Sequence, residues 1–198
     1  MLHLDGQAGL SEAPPNYPAE ITEQVSLKDG TPVTLRPIRP EDAPRLQEAF
    51  SRLSPQTIYM RFLQVAKGLS DEQARTLAQV DYKHRMAIVG TIQEEGQERI
   101  IAVARYGMLK PEENGIAEAA VVVRDDYQQR GLGKISMHRL ARYAQKQGVQ
   151  AFAAVVHTSN IPVLRFIQHT GLPYKKRMLE PGLWEIHVLL DPDTIPEP

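Results

Sequence analysis

The sequence predicts an α/β protein of one domain, in which a mixed, mostly antiparallel central sheet of about seven strands carries helices on both faces. Three observations favour this class. Strand-like and helix-like stretches alternate along most of the chain, without an internal repeat. The longest amphipathic stretch lies between two apolar runs, as a helix between two strands does. The length of 198 residues and the hydrophobic content of 42% suit one ordinary core.

The first half of the chain predicts one strand and three helices. Residues 31–38, TPVTLRPI, have the character of a strand, and a helix follows them. Ser54 before Pro55 predicts the start of a second helix, because serine caps a helix and proline suits its first turn. Ser70 and Gln73 have the spacing of a capping box and predict the start of a third helix.

The second half predicts six strands and two helices. The segment EEGQE is typical of a hairpin turn between two strands. A third strand, GIAEAAVVVR, precedes a long helix that Gly148 is expected to close. The remaining predicted elements are a strand at 149–158, a helix at 160–171, and strands at 174–180 and 183–190.

The two ends differ in composition from the body of the chain. Residues 1–24 contain acidic residues and three prolines but no Lys or Arg, and the last residues read DPDTIPEP. Such segments bury too little apolar surface to pack a core. The sequence therefore predicts an N-terminal tail or arm over 1–24, a folded domain over 25–190 and a C-terminal tail over 191–198.

Composition and charge exclude several classes of function. The formal net charge is −1, so no overall field attracts nucleic acid or an anionic membrane. The chain has no cysteine, which excludes disulfides, thiolate metal sites and a cysteine nucleophile. No stretch reaches the roughly 18 apolar residues of a membrane span, and the first residues do not resemble a signal peptide. We therefore expect a cytoplasmic protein without nucleic-acid or membrane partners.

A glycine-rich segment joins an apolar run to the long helix. In VVVRDDYQQRGLGKISMHRL, Gly131 and Gly133 flank one leucine. Glycine lets the backbone approach a ligand closely, and the N–H groups at the start of a helix attract anions. We expect the N–H groups from Gln129 to Lys134 to hold a phosphate group, with added charge from Arg130 and Lys134. A glycine-rich turn that binds nothing would have the same pattern.

Two familiar glycine motifs do not fit this segment. A P-loop requires glycine where Gln128 stands, and Ser or Thr where Ile135 follows Lys134. A dinucleotide fingerprint that begins at Gly131 requires glycine where Ser136 stands. The loop therefore belongs to another class of phosphate site.

The segment VVVRDDYQQRGLGK resembles motif A of the GNAT superfamily of N-acetyltransferases, Gln/Arg-x-x-Gly-x-Gly/Ala, with Gln128, Gly131 and Gly133 in its fixed places. The resemblance implies acetyl-CoA as the acetyl donor, with its pyrophosphate on the loop and its pantetheine arm paired like a strand with Val121 and Val123. The cofactor-binding residues that it implies are Val121, Val122, Val123, Gln128, Gln129, Arg130, Gly131, Leu132, Gly133, Lys134 and Asn160.

A second segment strengthens the resemblance. NIPVLRFIQHTGL is similar to motif B of the same family, with Asn160 and Gly171 matching and Leu172 in place of a phenylalanine. Asn160 is expected to hydrogen-bond the pantetheine arm, or to be simply the cap of its helix. Over about residues 28–190 the chain looks like bacterial GNAT domains that acetylate lysines on proteins such as acyl-CoA synthetases.

Glu118 is the candidate catalytic residue, because it is the only charge in IAEAAVVV. An attacking lysine must be neutral, and with a pKa near 10.4 it costs about 4–5 kcal/mol to deprotonate at pH 7, so a general base is required. Poor solvation on an apolar strand would favour the neutral carboxyl group, which suits such a base. In the resembling protein acetyltransferases a glutamate of this strand is the base. An outward-facing glutamate on a half-exposed sheet is the alternative.

Two other residues bear on the chemistry. His157 ends a strand near the expected cleft. Its role could be that of a second base, a substrate contact or a structural histidine. Ile167 stands where many GNAT enzymes carry a tyrosine as general acid, although similar protein acetyltransferases also lack this tyrosine. The histidines show no metal-ligand spacing with carboxylates, so we predict no metal site.

The function that we expect is an acetyl-CoA-dependent N-acetyltransferase acting on a primary amine, with a protein lysine favoured by the resemblance. Two alternatives stay open: an acetyltransferase for a small amine, and a CoA-binding sensor module without turnover. Glu118 argues against the sensor, because a module without catalysis has no reason to place a lone carboxylate on that strand.

Overall fold

The computed structural model describes residues 14–64, 67–109 and 115–190. Within these residues, eight strands form one sheet in the order β1-β2-β3-β4-β5-β6-β8-β7. Neighbouring strands are antiparallel, except for the parallel pair β5 and β6. The strands are β1 (Glu23–Ser26), β2 (Pro32–Pro37), β3 (Arg85–Glu94), β4 (Gln97–Met108), β5 (Ile116–Val123), β6 (Ala151–His157), β7 (Tyr174–Glu180) and β8 (Leu183–Leu189).

Five α-helices cover the two faces of this sheet within the described ranges. Buried residues of the first and third helices pack on one face of β3 and β4, and the fourth helix packs on the opposite face. The fifth helix packs on β6 and β8, on the same face as the fourth. The helices are α1 (Ala43–Ser51), α2 (Pro55–Phe62), α3 (Asp71–Ala78), α4 (Leu132–Lys146) and α5 (Ile161–His169).

The predicted mixed, mostly antiparallel sheet with helices on both faces is confirmed, with eight strands where the sequence predicts about seven. The additional strand is β1, which pairs with β2 at the edge of the sheet. Only four residues long, it has too little alternating pattern to be recognised in the sequence. Its Glu23 forms an ion pair with Arg139 of α4, which fixes the strand to the body of the domain.

Residues 14–22 lie beside this edge. The Tyr17 ring packs edge-on against Tyr82, with 5.6 Å between ring centroids, and its hydroxyl donates to the carbonyl of Pro37 at 3.2 Å. Most of the predicted arm and the whole predicted C-terminal tail, residues 1–13 and 191–198, lie outside the described residues. The boundaries at residues 25 and 190 therefore stay predictions.

The predicted helix and turn signals act where the sequence places them. Ser54 accepts a hydrogen bond from the Thr57 N–H at the start of α2. Ser70 and Gln73 form a reciprocal capping box at α3. Gly148 has a φ of +84° just after α4, the left-handed conformation that ends many helices. Of the helices in the described part of the chain, none has the length and apolar character that crossing a bilayer requires.

The central feature for function is a gap between β5 and β6. Their parallel ladder contains the three pairs Ile116–Ala151, Ala117–Phe152 and Glu118–Ala153. Beyond Glu118, β5 continues to Val123 and β6 to His157 without further pairing to each other within the described chain. The strands therefore separate and leave a cleft between them, which opens at the carboxyl ends of both strands.

Candidate active site

Backbone groups of β5 line one wall of this cleft. The carbonyl of Ile116 and the N–H of Arg124 bond to residues of the β4 side, Leu109 and Ile101. Because backbone direction alternates along a strand, Val121 and Val123 direct their N–H and C=O groups towards the cleft. Their N–H groups and the Val121 carbonyl are therefore placed for strand-like pairing with an extended ligand, whereas the Val123 carbonyl accepts from the Gln128 side chain. Val122 is not, because its backbone faces β4 and its side chain packs on the α1–α3 face.

The loop that follows β5 offers a row of N–H groups. Gln129 and Gly131 have positive φ angles of +61° and +94°, which turn the chain into the start of α4. Among the described residues, no acceptor is bonded to the N–H groups of residues 129–134. Free N–H groups at a helix start carry partial positive charge and suit a phosphate group. We call residues 128–134 the phosphate loop.

The side chains of the phosphate loop have more varied roles than the sequence predicts. Leu132 is buried in the core, so only its N–H is available. Arg130 is bound to Asp29 at 2.7 Å and stacks on the Tyr127 ring at 4.9 Å. Lys134 is exposed. Of the two cations predicted for the phosphate, Arg130 is in an ion pair, whereas Lys134 forms none among the described residues.

Gln128 has a structural task that the sequence does not reveal. Its Nε2 group donates to the carbonyl of Val123 at 3.0 Å and to the Thr57 hydroxyl at 3.2 Å. Both bonds are to groups of the protein, so the predicted contact between this side chain and the cofactor stays a prediction. They connect the end of β5 to α2.

Lys28 was not predicted to lie near the phosphate loop. Its N–H donates to the Arg130 carbonyl at 3.2 Å, and a Cβ built on Gly131 would lie 3.8 Å from the Cγ and Cε atoms of Lys28. The turn between β1 and β2 thus brings a cation beside the loop. Because the two segments are about a hundred positions apart, no local sequence pattern indicates this proximity.

Glu118 lies on the last rung of the β5–β6 ladder, where the cleft begins. Its side chain shares the α1–α3 face with Ala120 and Val122, while Val121 and Val123 face α4, as the strand pattern predicts. The side chain is exposed, so the expectation that this strand solvates it poorly is wrong. The apolar neighbours do not cover it because β6 diverges from β5 immediately after this position.

Two arginines lie near Glu118 on the same face, Arg61 of α2 and Arg105 of β4. Burial lowers the pKa of Arg61 in α2, while the negative charge of Glu118 acts in the opposite direction. Burial, together with the positive charges of Arg61 and Arg85, lowers the pKa of Arg105 in β4 to about 10. The Arg105 Nη2 group donates to the Leu77 carbonyl at 3.0 Å.

Helix α2 is tied to the segment between β5 and the phosphate loop through Asp125. One carboxylate oxygen accepts from the Ser54 N–H at 2.9 Å, and the other accepts from the hydroxyls of Ser54 and Thr57, both at 2.7 Å. Burial raises the pKa of Asp125, but these hydrogen bonds outweigh it and hold the pKa below its usual value. We call Asp125 and Gln128, with their bonds to α2, the latch.

The opposite wall of the cleft contains Asn160 and His157. The side-chain oxygen Oδ1 of Asn160 accepts from the Val163 N–H at 3.4 Å, so the residue caps α5. Its side-chain nitrogen Nδ2 stays available to a ligand. His157 at the end of β6 binds the Ser159 hydroxyl at 2.6 Å through Nδ1 and packs edge-on against Tyr59 of α2. This aromatic pair spans the cleft on the α1–α3 face. Ile167 is buried behind β6.

The structure thus brings the predicted residues together around one cleft. Val121, Val123 and residues 129–134 form a continuous backbone-lined wall, Asn160 faces it, and Glu118 lies at its inner end. Lys28, Arg61, Arg105 and Asp125 join the site from other elements. Their only sequence signal is charge, which in isolation is more often found on a solvated surface.

Comparisons with known proteins agree with this arrangement. The model of the acetyltransferase (GNAT) family matches residues 50–172. Acetyltransferase PA5475 of Pseudomonas aeruginosa is 36% identical over 135 residues, which cover 68% of this chain and 72% of that protein. Acetyltransferase Pat of Mycolicibacterium smegmatis is 32% identical over 172 residues, or 87% of this chain, which spans half the length of Pat. The GNAT domain of S. lividans PAT superimposes with a TM-score of 0.78 at 28% identity, covering 87% of this chain and 99% of that chain.

Proposed function

The chain belongs to the acetyltransferase (GNAT) family, and from that premise we propose that it acetylates lysine side chains of proteins, with Glu118 as the general base. Family membership makes acetyl-CoA the acetyl donor and an amine the acceptor. The lysine and the base rest on the sequence resemblance and on the geometry around β5. The observation that supports the proposal most directly is that Glu118 lies on the same strand whose free edge leads into the phosphate loop.

The donor would be held mainly by backbone. The N–H groups of residues 129–134 would bind the pyrophosphate, and each such charge-assisted hydrogen bond contributes roughly 1.5–3 kcal/mol. Val121 and Val123 would pair with the amides of the pantetheine arm, and the free amide nitrogen of Asn160 would donate to the same arm from the opposite wall. Lys28 and Lys134 would add positive charge at the phosphates. When bound, acetyl-CoA supplies the thioester whose acetyl group is transferred.

Glu118 would accept the proton of the attacking amine, either directly or through water. Arg61 of α2 lies near this carboxylate and interacts with its charge. Exposure of Glu118 is compatible with this role, since the carboxylate must meet an acceptor that arrives from solvent. A thiol with a pKa near 8.5 is a tolerable leaving group, so departure of CoA does not require the tyrosine that Ile167 replaces.

A lysine side chain suits the acceptor side of the cleft. Tyr59 of α2 and Val155 of β6 are both exposed apolar side chains on the α1–α3 face, with Tyr59 39% and Val155 43% exposed. They offer contact to the aliphatic stem of a lysine, and Glu118 offers a partner to its ammonium group. A small amine without such a stem would make fewer of these contacts.

The proposal is tested by incubating the protein with labelled acetyl-CoA and a cell extract. We expect label on the lysines of specific proteins, identified by mass spectrometry, and a much weaker signal with the Glu118→Gln variant. Label confined to small molecules would favour the small-amine alternative. Binding of acetyl-CoA by calorimetry without any labelled product would favour a sensor module.

A further inference from the structure

A small cavity lies behind the acceptor side, on the α1–α3 face of the sheet. It has a volume of about 60 Å³, is lined by residues of α1, α2, α3, β4 and β5, and is partly open to solvent. Most of its lining is apolar, with Leu46, Phe50 and Ile100 among the residues that contribute. Arg61 and Arg105 also line it. Two partly buried cations in an apolar enclosure are unusual and call for a physical reason.

Neither cation is paired with a carboxylate by a hydrogen bond within the described chain. Arg105 donates to one carbonyl, that of Leu77, and Arg61 contacts the Phe62 ring at 4.8 Å. The third arginine of the cavity, Arg124, differs, because it forms ion pairs with Glu94 and Asp126. Burial of a charge is costly unless an opposite charge compensates it. Glu118 acts on Arg61 in this way, whereas Arg105 bonds to a carbonyl, so Arg105 in particular favours an anion in the cavity.

The cavity borders β5, the strand that lines the cleft, through the side chain of Val122. Arg105 of β4 is directly opposite Ala120 of β5, in the register that also pairs Gly107 with Glu118. On this face only the methyl group of Ala120 stands between Glu118 and Val122, and paired strands are about 5 Å apart. An acyl chain attached at the cleft edge of β5 therefore needs to pass a single methyl group to reach the Arg105 guanidinium.

We propose that this cavity receives the terminal carboxylate of an acyl group carried by CoA, so that the enzyme also transfers short dicarboxylic acyl groups such as succinyl. The proposal rests on the proposed acyl transfer. A lining of apolar side chains with two guanidinium groups suits a short methylene chain that ends in a carboxylate. The apolar lining would contact the methylene groups, and the guanidinium groups would bind the carboxylate by charge-assisted hydrogen bonds.

The transfer step has the same balance as acetyl transfer. The amine nitrogen forms a bond to the acyl carbon as the carbon–sulfur bond breaks, and CoA leaves as the thiolate. The proton of the amine passes to Glu118 or to water. The distal carboxylate takes no part in bond making, so its effect is on binding and selectivity.

The test compares acetyl-CoA, butyryl-CoA and succinyl-CoA with a lysine acceptor and the whole chain. Butyryl is the uncharged control of equal chain length. We expect kcat/KM for succinyl-CoA to exceed that for butyryl-CoA by at least about tenfold, the range of one charge-assisted hydrogen bond. Arg105→Met keeps the apolar stem and removes the charge, so it should lower the succinyl-to-butyryl ratio about tenfold, whereas Arg105→Lys should lower it less.

Arg75→Met on the exposed surface of α3 is the matched control and should leave the ratio unchanged. Melting temperatures of all variants separate unfolding from selectivity. Two results would overturn this proposal and leave the proposed function intact. In the first, the enzyme transfers acetyl groups but uses succinyl-CoA no better than butyryl-CoA. In the second, Arg105→Met does not change the succinyl-to-butyryl ratio. Absence of transfer from any donor would instead overturn the proposed function.

Discussion

The two sides of β5 are built by different means. Towards the phosphate loop, the candidate site consists of backbone: the free edge at Val121 and Val123 and six successive N–H groups. Towards the acceptor, it consists of side chains from separate elements, namely Glu118, Arg61, Arg105, Tyr59 and His157. The backbone-built side would hold the CoA part of the donor, and the side chain-built side would meet the amine.

This difference has a consequence for mutations. A backbone-built side tolerates most side-chain changes and fails only where a new side chain fills the space of the ligand. A side built from side chains can lose its function when a single functional atom is replaced. The following substitutions test that contrast, and they are arranged from the largest expected effect to the smallest.

Gly131→Glu should abolish binding of acetyl-CoA. The added side chain is strained at a φ of +94°, and its carboxylate would lie against the row of N–H groups. Loss of two or three charge-assisted hydrogen bonds corresponds to at least about a 100-fold rise in Kd by calorimetry. Gly148→Glu is the matched control, because it places the same residue at a φ of +84° beyond the other end of α4. Equal affinities for both variants would show that the phosphate loop is not the phosphate site.

Glu118→Gln should lower turnover at pH 7 by roughly 10²–10⁴, the usual effect of removing a general base. The affinity for acetyl-CoA should hardly change, because Glu118 lies on the acceptor side. The defect should shrink as pH rises towards the lysine pKa near 10.4, since the neutral amine then forms without help. Glu180→Gln on the exposed strand β7 is the control. Turnover like that of the unmodified chain from pH 6 to 9 would make His157 the leading candidate base.

The backbone-built side could be predicted from the sequence because its parts are contiguous. Gln128, Gly131 and Gly133 lie within six positions, and the strand, loop and helix that they join are consecutive. Residues that are close together along the chain are therefore also close together in this part of the structure. The helix caps at Ser54, Ser70 and Asn160 were predictable for the same reason.

Of the side chain-built side, the sequence indicated Glu118, where one charge interrupts an apolar strand, and His157, which ends a strand near the cleft. Arg61 and Arg105 reach the same face through the packing of α2 against β5 and the register of β4. That register depends on long-range pairing, which leaves no local pattern. The sequence left two environments open for Glu118, because its exposure depends on where β6 diverges, and an isolated strand sequence does not contain that information.

Asp125→Ala tests whether the two sides are coupled through the latch. The substitution removes the acceptor for three hydrogen bonds at the start of α2, the helix that carries Tyr59 and Arg61. We expect the KM for the acceptor to rise about tenfold, and the free energy of unfolding to fall by about 1–2 kcal/mol for the lost helix-start bonds. The Kd for acetyl-CoA should change less than about threefold, the loss of much less than one hydrogen bond.

Asp125→Asn retains a side-chain oxygen that can accept a hydrogen bond. Its KM for the amine substrate should therefore be close to that of the unmodified chain, which a general loss of stability would not predict. Glu72→Ala, in the first turn of α3, is the control for an acidic residue removed from a helix start. Equal changes in acceptor KM and donor Kd for Asp125→Ala would show that the latch supports both sides equally, and the contrast between them would then be weaker than the structure indicates.

Gly133→Ala should have the smallest effect and gives the sharpest view of the backbone-built side. A Cβ at this position would lie 3.5 Å from a Val123 methyl carbon and 3.9 Å from a Val121 methyl carbon, both ordinary contacts. Residue 133 is helical, so alanine there stabilises the first turn of α4 by about 0.5–1 kcal/mol relative to glycine. Because its N–H is kept, the Kd for acetyl-CoA should change less than about threefold, much less than one charge-assisted hydrogen bond. A loss comparable to that of Gly131→Glu would mean that the ligand occupies the space between α4 and β5, and that shape, not only the row of N–H groups, selects the donor.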